Sequence, residues 1–146
     1  MIILDTNVIS ELMRNQPDIE VKHWISKQTP IHLNITTITI AEIQRGLMRL
    51  PAGKRRTQLT NSFEAFVTEA FNGRIFPFDE KAAYHYGHIA AHCEMQGINT
   101  DAVDLMIAAI AKTHQAFNWL LDRKTLIIQE PVKCLMGLWE IGRAHV

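Results

Sequence analysis

At 146 residues the chain is expected to fold as one domain, long enough to bury about two-thirds of the surface its unfolded form exposes. An apolar share of 47% beside 21% charged residues is ordinary for a soluble globular protein, and no run approaches the roughly 18 apolar residues of a membrane span. Fifteen basic side chains balance fifteen acidic ones, which excludes a non-specific basic coat for nucleic acid but not a local basic patch.

In chain order, residues 2–5 read as a first strand, Ile2-Ile3-Leu4-Asp5, an apolar run that stops on a carboxylate. Thr6 to Met13 reads as a short helix, and Asp18 to Lys27 as another, with Asp18 as its cap after Pro17. Ile31 to Ile35 alternates apolar and polar residues, as a strand does. Thr39 is the expected cap of a helix running to about Leu50, where Pro51 and Gly53 stop it. From Lys54 to Phe71, residues Leu59, Phe63, Phe66, Val67 and Ala70 are spaced for one buried helical face. Gly73 ends that helix, and Arg74 to Phe78 reads as a strand. Asp79 caps a helix to Gln96 that closes at Gly97. Asp101 to about Gln115 is the most apolar helix and should pack on the sheet; Phe117 to Leu121 is a last strand, ending at Asp122. Strands alternating with helices imply an α/β fold with a central, mainly parallel sheet. After Ile128 the patterning weakens, so 1–130 is read as the domain and 131–146 as an irregular, non-native tail. Cys93 and Cys134 make no disulfide framework, and the N-terminus lacks an export pattern; a cytoplasmic location is expected.

Three acids stand in apolar settings. Asp5 closes a strand and is followed by Thr6 and Asn7, whose short polar groups can orient a carboxylate; its plainer role is to cap the next helix. Glu42 follows Thr39 at capping-box spacing, and a carboxylate there also has a path into a cleft; neither role excludes the other. Asp104 lies among Val103, Leu105, Met106 and Ile107, one turn after Asp101, which suits the helix N-terminus better and leaves Asp104 unexplained. Carboxylates on core-facing surfaces need compensation, and a divalent cation is the simplest form of it.

These stretches resemble the PIN-domain ribonucleases, in particular the VapC/FitB-like toxins of type II toxin–antitoxin pairs. The likeness rests on Met1-Ile2-Ile3-Leu4-Asp5-Thr6-Asn7-Val8-Ile9-Ser10-Glu11, Ile38-Thr39-Ile40-Ala41-Glu42-Ile43, Gly73-Arg74-Ile75-Phe76-Pro77-Phe78-Asp79, and Asp104 with Ile107-Ala108-Ala109-Ile110-Ala111, all in order. It implies a three-layer α/β/α fold, and that Asp5, Glu42 and Asp104 are catalytic metal ligands, Asp5 and Asp104 foremost, supported by Thr6 and Asn7. The family has a fourth acidic or amide position after the last core strand, and Asp122 stands at that distance. Leu120-Leu121 replaces the Thr-Arg pair expected before it, and the usual closing Asn-Pro-Trp segment is missing.

Oxygen ligands without histidine or thiolate favour Mg²⁺ or Mn²⁺ over zinc. The expected activity is metal-dependent cleavage of RNA by a homodimer whose cognate antitoxin covers the cleft. The alternative, from another class, is a catalytically inactive module that dimerises and binds its antitoxin. Arg45 and Arg49 follow Glu42 at helical spacing and are candidate RNA contacts, whereas the run Lys54-Arg55-Arg56 reads as a solvated helix end. His85, His88 and His92 share one helix face, but residues on one straight helix make a poor tetrahedral site, so an exposed or partner-facing surface is expected. There is no nucleophile elbow, Gly-rich phosphate loop or Cys/His cluster.

Overall fold

Strand β1 (Ile2–Leu4) is apolar throughout and lies at the centre of the sheet. Consecutive side chains leave a strand on opposite faces, and here they do so into two cores. Leu4 and Ile2 pack with one cluster, Ile3 with another. A strand covered on both sides needs apolar residues at every position, which is why the run shows no alternation. The computed structural model describes residues 1–115, 117–121 and 128–129. The expected tail, 131–146, and Asp122 lie outside the described residues.

Beyond β1 the strands are β2 (Leu33–Thr36), β3 (Ile75–Phe76), β4 (Phe117–Leu121) and β5 (Ile128–Gln129), in spatial order β3-β2-β1-β4-β5. β1 pairs in parallel with both β2 and β4, with Ile2 opposite Leu33 on one side and Phe117 on the other. β2 and β3 are also parallel, while β5 adds an antiparallel edge to β4. The sheet is therefore mainly parallel. Its order steps outward from β1 to β3 and then resumes on the other side of β1 with β4. That reversal makes a topological switch point at the carboxyl end of β1, the place where open α/β sheets bind ligands.

The helices are α1 (Thr6–Leu12), α2 (Ile19–Ser26), α3 (Thr37–Met48), α4 (Lys54–Phe71), α5 (Glu80–Met95) and α6 (Ala102–Thr113). On the Leu4 side, Val8 and Ile9 of α1, Val21 of α2, Ile43 and Leu47 of α3, and Phe63 and Phe71 of α4 close one core. On the Ile3 side, Ile107, Ile110 and Ala111 of α6 pack with Ala82 of α5. The result is three layers, α/β/α. Side chains such as Ile3, Ile35, Ile89 and Ile107 are fully buried, each contributing on the order of 2 kcal/mol. Cys93 is also buried, in the cluster that α5 and α6 share.

Several boundaries follow the expected caps. Asp18 accepts from Glu20 N at 2.9 Å and Val21 N at 3.2 Å, Asp79 from Ala82 N at 2.9 Å, and Asp101 from Val103 N at 2.7 Å. Gly97 takes the left-handed conformation after α5 (φ +68°) that glycine adopts without strain. Two boundaries differ. β3 spans only Ile75–Phe76, shorter than the Arg74 to Phe78 run expected. β2 begins two residues later than its alternation suggested, after a 3₁₀ turn at Pro30–His32, and runs directly into α3. Thr36, not Thr39, is the cap of α3 and accepts from Thr39 N at 3.1 Å. The expected Thr39–Glu42 capping box therefore does not form, because Glu42 lies in the second turn rather than the first.

Candidate active site

Asp5 follows β1 directly and occupies the cap position of α1, yet its side chain makes no capping hydrogen bond. The residue is 2% exposed and lines the cleft at the switch point. Burial is the largest influence on it and raises its pKa from 3.8 to about 6. The nearby Thr6 amide opposes that rise and Asp104 adds to it, followed by a smaller opposing effect from the Asn7 amide and a further push from Glu42.

Glu42 arrives from α3. With no capping duty, it accepts a 2.5 Å hydrogen bond from the Thr6 hydroxyl, which bridges positions 36 residues apart and ties α3 to the start of α1. Asp104 sits in the first turn of α6, where Asp101 already caps the amides. Its pKa is also raised, first by burial and then by the charges of Asp101 and Glu42. Three elements remote in sequence thus deliver Asp5, Glu42 and Asp104, with Thr6 and Asn7, to one cleft of about 860 Å³.

The arrangement is electrostatically unfavourable by itself: acidic groups share a partly dry site, and Glu42 pushes up the pKa of both Asp5 and Asp104. Its donor set is oxygen only, the set that suits hard divalent cations. Among the described residues no three His, Cys, Asp or Glu side chains close into one metal-holding group. Mg²⁺, however, retains several waters and is commonly held by one or two carboxylates plus substrate phosphate. Asp5 and Asp104, whose carboxyls burial and neighbouring charge both disturb, fit that lesser requirement.

The basic residues fall in two places. Arg45 and Arg49 are exposed on α3 and do not line the cleft. Arg14, from the turn after α1, and Arg55, near the start of α4, do line it. Arg14 is paired with Glu11 at 3.2 Å. Sequence reasoning missed Gln58 and Ser62 on the same wall; their spacing from Arg55 was the available signal, hidden by the reading of Lys54-Arg55-Arg56 as a solvated end. His85, His88 and His92 stay along α5, where His88 borders an outer groove with the exposed Tyr84 and Met95.

A family model described as PIN domain matches residues 2–117. The chain is 44% identical over 114 residues to VapC ribonuclease Y4jK of Sinorhizobium fredii, across 78% of this chain and 81% of that protein. It is 40% identical over 114 residues to Toxin FitB of Neisseria gonorrhoeae, across 78% of this chain and 82% of that one. The crystal structure of FitAcB from Neisseria gonorrhoeae is similar in fold, with a TM-score of 0.78 at 38% identity, covering 84% of this chain and 88% of that chain.

Proposed function

The chain belongs to the PIN-domain family and resembles its VapC/FitB toxins, and from that premise we propose that it is a Mg²⁺- or Mn²⁺-dependent endoribonuclease toxin that cleaves RNA phosphodiesters. A cognate antitoxin neutralises it in this reading, and the active form is a homodimer. The supporting observation is that Asp5, Glu42 and Asp104 line one cleft at the switch point of the sheet.

When bound, Mg²⁺ or Mn²⁺ supplies an acidified water and positive charge against the phosphate oxygens. The chain's own residues do the rest. Asp5 and Asp104 present the carboxylates that would hold the ion. Glu42 is oriented by the Thr6 hydroxyl, which occupies Oε1 and turns a flexible side chain into a positioned one. Asp5 is itself buried, and that burial strengthens the charge interactions it makes.

The test is cleavage of a mixed-sequence RNA by purified protein in Mg²⁺ or Mn²⁺, with EDTA, Asp5→Asn and Asp104→Asn as comparisons. Loss of cleavage in all three is expected, and cleavage that survives both substitutions would overturn the assignment. The inactive-module reading draws on the lack of a three-ligand group among the described residues. Antitoxin binding without any RNA cleavage by the parent protein would select it.

A further inference from the structure

The cleft has walls that the acids do not account for. The end of α1 supplies one, through Ser10 and Arg14; the first half of α4 supplies the other, through Arg55, Gln58, Leu59 and Ser62. Those four α4 positions stand at i, i+3, i+4 and i+7, a single helical stripe about 10 Å long at 1.5 Å per residue. The adjoining stripe of the same helix, Phe63, Phe66, Val67, Ala70 and Phe71, belongs to the core. α4 therefore packs with one stripe and faces the cleft with the next.

The cleft stripe is polar in a graded way. Arg55 is exposed and makes no ion pair among the described residues, whereas Arg14, the other cation on the cleft, is engaged by Glu11. With three carboxylates on the floor, an anionic strand needs a cation close by, and Arg55 is the one placed to offer it. Gln58 presents both a donor and an acceptor amide, and Ser62 a hydroxyl. Unpaired RNA is read through hydrogen bonds to splayed base edges and to the 2′-hydroxyl.

Resting on the nuclease reading above, we infer that the cleft stripe of α4 is the wall that reads the RNA strand: Arg55 takes a backbone phosphate, and Gln58 with Ser62 contacts the base and ribose beside it. Arg55 contributes affinity without sequence preference, and Gln58 contributes choice of cleavage site.

The experiment uses the full chain and a 5′-fluorescein-labelled, mixed-sequence 20-mer RNA, with Lys54→Ala as an exposed control beside, but not on, the stripe. Anisotropy in EDTA gives binding against salt; cleavage in Mg²⁺, with the product ends sequenced, gives KM, kcat and site choice. Arg55→Ala should weaken binding roughly 10-fold, reduce the salt slope by about one, and raise KM far more than it lowers kcat. Gln58→Ala should keep the salt slope and redistribute the cleavage sites, and Lys54→Ala should match the parent. Equal losses in Arg55→Ala and Lys54→Ala, or an unchanged site distribution in Gln58→Ala, would overturn the inference while leaving the nuclease assignment intact. A parent protein that neither binds nor cuts the RNA would overturn both.

Discussion

Replacing Asp5 by Asn should stabilise the folded protein at neutral pH in the absence of divalent ions, although Asp5 is the residue on which the proposed activity depends. The carboxyl moves from an ordinary 3.8 to about 6 on folding. Because the folded-state value is the higher one, the folded protein holds an extra proton between about pH 4 and 6, and stability declines as pH rises through that window. At 1.36 kcal/mol per tenfold change, the full penalty above pH 7 is about 3 kcal/mol, and about 1.5 kcal/mol has accrued by pH 5. Asn is neutral throughout and nearly isosteric, so the advantage of Asp5→Asn should grow from about 1.5 to about 3 kcal/mol between pH 5 and 7.5. Urea unfolding followed by circular dichroism in EDTA at both pH values measures it, with an unchanged m-value as the check on comparable unfolding. A variant less stable than the parent at pH 7.5, or an advantage that does not change with pH, would refute the reasoning.

The same strain predicts linkage to metal. Millimolar Mg²⁺ or Mn²⁺ should raise the parent's Tm, by about 1.4 kcal/mol of stability when the ion is at ten times its Kd, and should leave Asp5→Asn nearly unmoved in a thermal melt. Thr6→Val removes the hydroxyl that holds Glu42; kcat should fall roughly 10-fold with little change in Tm, and an unaltered kcat would remove Thr6 from the site. Asp101→Ala should cost about 1 kcal/mol through its lost cap yet preserve cleavage, in contrast to Asp104→Asn one turn further on. Paired melts and RNA cleavage assays separate the two acids.

Much of this architecture was legible because its causes are local. The α4 helix, Lys54–Phe71, coincides with the period of Leu59, Phe63, Phe66, Val67 and Ala70, since burying one face is what makes that stretch helical. Asp18 and Asp79 were readable as caps, and Asp101 as suited to its helix N-terminus, because a capping oxygen acts on amides two or three residues away. Thr39 was misread for the same reason: Thr36 offers an equivalent hydroxyl three residues earlier, and the choice between them depends on where β2 ends against β1 and β3. Arg45 and Arg49 are exposed, as RNA contacts must be, but helical spacing establishes which residues share a face, not which neighbour that face meets.

The sequence by itself determined that an acid would follow a buried apolar strand, that Asp104 would stand on an apolar helix whose N-terminus Asp101 suits better, and that helices would alternate with the strands of a mainly parallel sheet. These are consequences of short-range periodicity and hydrogen bonding. Only the tertiary structure decided that Thr6 would hold Glu42 across 36 residues and that α4 would turn Arg55, Gln58 and Ser62 toward the acids. Those outcomes depend on strand order and on how helices cross the sheet, which are settled by packing among segments distant in the chain.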